Sequence, residues 1–260
     1  MKIATFNING IKARIEALPR WLTASGADVV CLQEIKSVDE NFPRELFEAE
    51  GWAVETHGQK GFNGVAILSR LRLSDVVRGL PGDETDEQAR WIEATVHGLN
   101  GQVRLCGLYL PNGNPAPGPK YDYKLAWMDR MRARIAALLE TEMPLVFAGD
   151  YNVIPEPRDA ARPEAWVGDA LFLPESRAAF RRMIHLGLTE AIRIRDPRPG
   201  LYTFWDYQAG AWERNNGIRI DHLLLSPQAA DRMTGTGIDK AVRGEEKPSD
   251  HVPAWVELDM

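Results

Sequence analysis

Leu145-Val146-Phe147-Ala148-Gly149-Asp150-Tyr151-Asn152 begins apolar and ends polar. Its first three residues have the β-branched and aromatic character of a strand, with apolar side chains on both faces. Such a strand is covered by another sheet on one side and by helices on the other. It runs out into a carboxylate and a carboxamide, Asp150 and Asn152.

Six further apolar runs read in the same way: Ile3 to Phe6, Val29 to Leu32, Val65 to Leu68, Val103 to Leu110, Ile218 to Leu225 and Ala254 to Leu258. Between them, residues 121–140 place Leu125, Met128, Ile135, Leu138 and Leu139 at helical spacing. Arg14 to Ser25 and Glu175 to Leu186 carry similar stripes that close near Gly26 and Gly187, and Pro19 starts or bends the first of these. A helix followed by an apolar strand ending in an acid describes both Arg14 through Glu34 and Lys120 through Asp150, which suggests two similar halves facing each other. The Pro/Gly-rich stretch Pro111 to Pro119 reads as a surface loop because apolar strands continue on either side. No boundary divides the chain, and one domain over residues 1–260 is expected.

The 260 residues are 44% hydrophobic and 26% charged, the balance of a soluble protein with a large core. Met1-Lys2-Ile3-Ala4-Thr5-Phe6 enters a strand at once and lacks the layout of a secretion signal. No apolar run approaches the roughly 20 residues that span a bilayer, so a cytoplasmic protein without a membrane partner is expected. Cys31 and Cys106 lie inside strand-like runs and read as buried thiols. The net charge of -6 weighs against a nucleic-acid partner. Total charge is a blunt test, since a carboxylate cluster around a metal adds negative charge while basic residues still line a local groove.

Almost every informative polar residue ends or interrupts an apolar run. The first strand leads into Phe6-Asn7-Ile8-Asn9-Gly10, the second into Gln33-Glu34, and another into Tyr109-Leu110-Pro111-Asn112. Arg219-Ile220-Asp221-His222 and Ser249-Asp250-His251-Val252-Pro253 complete the set. Singly, an Asn or Asp after a strand is a turn former; six such endings point to a site. Asp221, next to Leu223-Leu224-Leu225, is costly to bury without a partner, and the imidazole of His251 could be that partner. The rival reading is a buried Asp-His pair that only ties loops together. No serine or cysteine sits on a nucleophile elbow and no Gly-rich phosphate loop is present. Water is then the nucleophile, and oxygen ligands without clustered Cys or His suit a hard cation such as Mg²⁺, with Mn²⁺ as a substitute.

Taken in order, Phe6-Asn7-Ile8-Asn9-Gly10, Leu32-Gln33-Glu34, Gly149-Asp150-Tyr151-Asn152, Arg219-Ile220-Asp221 and Ser249-Asp250-His251 resemble the exonuclease III family of abasic-site endonucleases. The strand-end motifs alone match the broader endonuclease/exonuclease/phosphatase superfamily. His57-Gly58-Gln59-Lys60-Gly61, Lys36 and Thr203-Phe204-Trp205-Asp206-Tyr207 favour the DNA-repair branch. The resemblance implies a four-layered α/β sandwich, with two mixed sheets face to face and helices outside. It also implies Mg²⁺-dependent cleavage of duplex DNA on the 5′ side of an abasic nucleotide, with 3′ exonuclease and 3′ phosphatase activities. Carried over residue by residue, Glu34 is the principal metal ligand, helped by Asn7, Asn9 and Asp250. Asp150 and Asn152 orient and activate water, His251 oriented by Asp221 faces a phosphate oxygen, and Tyr109 and Asn112 hold the same phosphate. Such a site needs a metal and preorganised donors more than a covalent nucleophile. Asp150 is the favoured base and His251 its rival.

Two departures stand out. Asn9 occupies a position where some members carry aspartate, which puts a second tightly held metal in doubt. Gly217-Ile218-Arg219 lacks a tryptophan common in the abasic-endonuclease branch, which leaves the balance of activities open. Phe204, Ile218 and Ile220 are candidates for a pocket that accepts a sugar without its base, or else ordinary core. Lys60, Arg90, Lys120, Lys124 and Arg214 are candidates for DNA backbone contacts, and Trp212 either wedges against the duplex or anchors its own loop. A monomer acting on double-stranded DNA with abasic sites or 3′ ends is expected. The competing readings are a superfamily enzyme for a lipid head group or nucleotide, and a catalytically silent DNA-binding protein.

Overall fold

The computed structural model describes residues 1–260. One sheet holds β1 (Lys2–Asn7), β2 (Val29–Gln33), β3 (Ala53–His57), β4 (Val65–Ser69), β11 (Met233–Ile238) and β12 (Ala254–Leu258). The other holds β5 (Arg72–Arg78), β6 (Trp91–His97), β7 (Gln102–Tyr109), β8 (Leu145–Asp150), β9 (Thr189–Glu190) and β10 (Asp221–Leu225). The helices are α1 (Ala17–Ser25), α2 (Arg44–Glu48), α3 (Pro119–Leu139), α4 (Pro174–Ile184), α5 (Ala191–Arg195) and α6 (Pro227–Ala230).

Side chains alternate across a strand, and that alternation builds the layers. In β2, Val29 and Cys31 join the core between the sheets, while Val30 and Leu32 pack with Leu18, Trp21 and Leu22 of α1. In β8, Val146 and Ala148 face the same inter-sheet core, and Phe147 turns toward Trp127, Met128 and Ile135 of α3. Helix, sheet, sheet and helix therefore stack as the expected four-layered α/β sandwich. Each buried aliphatic or aromatic side chain contributes about 1.5–3 kcal/mol, and the inter-sheet seam is almost wholly such residues.

The suspected echo is a repeated plan. The sheet orders are β11-β12-β1-β2-β4-β3 and β5-β6-β7-β8-β10-β9. In each order the central pair is parallel, β1 with β2 and β7 with β8, and every other pair is antiparallel. A helix joins each parallel pair, α1 in one sheet and α3 in the other.

The differences from the sequence reading have local causes. Residues Lys12–Arg14 form a 3₁₀ turn, so α1 begins at Ala17 with Pro19 in its first turn, where a missing N–H costs nothing. Gly26 ends the helix at φ 64. The run from Ile218 joins the sheet only at Asp221, because Ile218 bridges to Phe204 and Ala160 outside it. Of the four edge strands, β5 is half exposed and β11 is Met-Thr-Gly-Thr-Gly-Ile, so neither carries a strong apolar signal. Within β6 the run is broken by Glu93, which is buried because Arg104 and Arg134 pair with it.

Candidate active site

Strand parity also places the polar residues. Asn7 lies on the same face of β1 as Ile3, and Asp150 on the same face of β8 as Val146 and Ala148, so both extend the inter-sheet seam beyond its apolar part. There Asn7 Nδ2 donates to Asp150 Oδ2 at 3.0 Å and to Glu34 Oε1 at 2.9 Å, joining the two sheets. Asp221 enters by register, since it pairs with Asp150 across β10 and β8. Glu34, just past β2, has φ 50, a left-handed conformation that breaks strand alternation and turns its carboxylate into the same space. Asn152 has φ 47, and its amide N–H donates to Asp150 Oδ1 at 2.9 Å.

His251 precedes β12 and is 4% exposed, with Nδ1 2.8 Å from Asp221 Oδ2 and Nε2 3.7 Å from Asp150 Oδ2. Burial disfavours the imidazolium, but the carboxylates of Asp221 and Asp150 outweigh it and raise the His251 pKa. The Asp150 pKa is raised as well, by burial first and then by Asp221, against the opposing charge of His251. Glu34 behaves differently. Burial pushes it up, yet the hydrogen bond from Asn7 and the Lys36 ammonium 3.0 Å away hold its carboxyl below the usual range. The site thus contains one acid kept ionised, one with raised proton affinity and a charged imidazole.

These residues surround a cavity of about 230 Å³. Glu34, Tyr109, Asn112, Asp150, Asn152, Phe204, Ile220, Asp250 and His251 all line it. Burial and the Glu34 and Asp150 charges raise the Tyr109 pKa, so its hydroxyl keeps its proton as a donor. Arg90 stands beside this rim, with Nη1 donating to Tyr109 O at 3.2 Å and its guanidinium over the Tyr109 ring. The sequence reading did not single out Asn114, Trp166 or Leu171, which also line the cavity. Asn114 and Leu171 come from loops and Trp166 from a short 3₁₀ turn, and no periodicity fixes the path of any of them.

Burial corrects the expectation for Lys124 and bears on the two readings left open for Trp212 and Ile218. Lys124 is 0% exposed and cannot reach a DNA backbone; its Nζ donates to Asn152 O at 2.6 Å and Asn112 O at 3.0 Å. Trp212 is half-buried edge-on against Trp205, with Lys240 and Arg243 over its ring, which is the arrangement of a loop anchor. Ile218, 1% exposed, sits behind the cavity wall with Ile154 and Ala160, while Phe204 and Ile220 form the wall. Lys60, Lys120 and Arg214 are exposed and stand outside the cavity lining.

The donor chemistry fits a hard divalent cation. Glu34 and Asp250 bring carboxylates to the cavity, and no cysteine is near. The amide oxygens expected to help them are engaged otherwise: Asn7 Oδ1 accepts from Asn9 N at 3.0 Å, and Asn9 Oδ1 accepts from Lys36 Nζ. Asn9 Nδ2 meanwhile donates to Asp250 Oδ1 at 3.1 Å. Asp150, Asp221 and His251 also lie close together.

The chain is similar over its whole length to several known DNA-processing enzymes. An exodeoxyribonuclease III from Haemophilus influenzae is 35% identical, the match covering 99% of this chain and all of that protein. An AP endonuclease from Archaeoglobus fulgidus superposes with a TM-score of 0.94 at 36% identity, with 100% of both chains covered. A 3′ phosphatase from Neisseria, solved bound to a product DNA hairpin, superposes with a TM-score of 0.95 at 35% identity over 100% of both chains. A sequence profile matches residues 4–251, from the strand that carries Asn7 to the histidine of the dyad, and with it the chain belongs to the endonuclease/exonuclease/phosphatase family.

Proposed function

We propose that this chain is a DNA-repair nuclease that hydrolyses phosphodiesters in duplex DNA, cutting on the 5′ side of abasic nucleotides and clearing nucleotides or phosphate from 3′ ends. The observation that carries the reading is the meeting of Glu34, Asp150 and the Asp221–His251 pair at one cavity with an apolar wall of Phe204, Trp166, Leu171 and Ile220. A charged phosphate and an adjoining sugar without its base need those two environments side by side.

Asp150 accepts the proton of the attacking water, which Asn152 helps to orient. Its raised pKa brings its basicity nearer neutrality, whereas His251 is already protonated and is a poor base. As water oxygen bonds to phosphorus, the bond to the 3′ oxygen breaks and that oxygen takes a proton from solvent, leaving a 3′ hydroxyl and a 5′ phosphate. The His251 imidazolium, the Tyr109 hydroxyl and the Asn112 amide donate to the nonbridging oxygens where charge accumulates. Glu34 and Asp250 hold Mg²⁺, which when bound neutralises phosphate charge. All of these groups come from one chain, which supports a monomer working as one catalytic domain over residues 1–260. The same reading puts it in the cytoplasm with its DNA; no helix is long and apolar enough to cross a membrane.

The test is a duplex with one abasic analogue, a duplex with a 3′ phosphate, and phosphorylated lipid head groups, each with Mg²⁺, Mn²⁺ or a chelator. We expect metal-dependent incision and 3′ phosphate release. Cleavage of the head groups alone ends the DNA reading, and tight duplex binding without product under any metal makes the chain a binding protein.

A further inference from the structure

Lys124 lies on the buried face of α3, is 0% exposed and forms no ion pair. Burying an amine without a contacting carboxylate costs free energy that a methionine or leucine in the same slot would not. Its two partners show what the amine does there. Nζ donates to the backbone oxygens of Asn112 and Asn152, at 3.0 and 2.6 Å, and the side chains of those residues bond to each other, Asn112 Nδ2 to Asn152 Oδ1, at 3.2 Å. The three contacts close a ring linking the loop after β7, the loop after β8 and α3.

Two details show how tightly the ring is built. A Cβ at Gly113 would lie 2.6 Å from Lys124 Cδ, so the chain wraps the lysine stem where only glycine fits. Asn152, at a left-handed φ of 47, also donates from Nδ2 to Leu110 O at 2.9 Å, so its side chain is held at both amide atoms. Burial lowers the Lys124 pKa to about 7, against the charges of Asp150 and Asp169. A neutral amine still has two N–H bonds for two carbonyls, so the ring persists in either protonation state.

We propose that Lys124 is a positioning residue that clamps the backbones of Asn112 and Asn152 and so sets where their side chains stand at the cavity. Its effect on turnover rests on the nuclease reading above; the clamp itself does not.

Two variants test it: Lys124→Met, which keeps the length and removes the donor, and Lys124→Gln, which restores a neutral donor. In Lys124→Met, backbone amide exchange over residues 111–114 and 151–154 should rise about tenfold or more while β7 and β8 keep their protection. On the abasic duplex with Mg²⁺, kcat should fall roughly 30-fold with KM within about twofold. The same substitution in an Asn112→Ala/Asn152→Ala background should cost less than about threefold, because both side chains it positions are gone. Lys124→Gln should recover most of the lost turnover, and it carries both measurements if Lys124→Met does not fold. Unchanged exchange in both segments, or an equal kcat loss in both backgrounds, overturns the proposal. A wild type that leaves every duplex uncut removes the nuclease reading, and the exchange measurement then decides the clamp alone.

Discussion

Asp150 and His251 sit 3.7 Å apart, both hidden from water, and each tunes the other. If Asp150 is the base, it works only when ionised, and its raised pKa moves the acid limb of kcat/KM above the range of an ordinary aspartate. Activity should fall as pH drops through that limb. The His251 pKa is also raised, so its charged form survives at neutral pH and is lost only as pH climbs through the raised value. Replacing Asp221 removes the carboxylate 2.8 Å from Nδ1, so Asp221→Asn should shift the alkaline limb to lower pH, read from kcat/KM across pH. An alkaline limb that stays in place in Asp221→Asn would detach His251 from this role. Asp150→Ala and His251→Ala should each lower kcat by at least about 100-fold with an unchanged circular dichroism spectrum. Wild-type turnover in either variant would reject its assignment.

Among the elements, β8 is confined at Gly149. A Cβ at Gly149 would lie 2.0 Å from the Leu108 carbonyl oxygen of the neighbouring β7. Gly149→Ala should therefore cost more than about 2 kcal/mol in a denaturant titration, although it adds one methyl group. The seven apolar runs were legible because strands covered on both faces concentrate β-branched residues. The edge strands β5 and β11, being half exposed, carry no such mark. At the site, Asn7, Glu34, Asp150, Asp221 and His251 could be read because each follows or opens a run that the fold brings to one edge. Lys124 illustrates the limit: its place near the start of a helix reads as surface, and only the path of two loops over it makes it core. Trp166, in a short 3₁₀ turn, and Leu171, in a loop, were hidden for a similar reason, since such short irregular segments leave no periodicity.

For the whole molecule, the two sheets meet along a seam that is apolar for most of its length and polar at one end. Leu105 packs in the seam, and Leu22 packs outside it between α1 and its sheet. Leu105→Ala and Leu22→Ala should destabilise comparably, by about 2–5 kcal/mol each. Only the seam variant should lower kcat, by about tenfold or more, since a small misplacement of catalytic groups is expensive. Equal kcat losses in the two would mean that the site does not feel sheet packing.

Asn7 is in effect a rivet, with one amide nitrogen holding carboxylates that belong to two different slabs. The chemistry is therefore sensitive to shear, a motion that neither slab resists by its own hydrogen-bond ladder. As urea rises, incision should go silent while the far-ultraviolet signal is still native, because the slabs can slip before either one unravels.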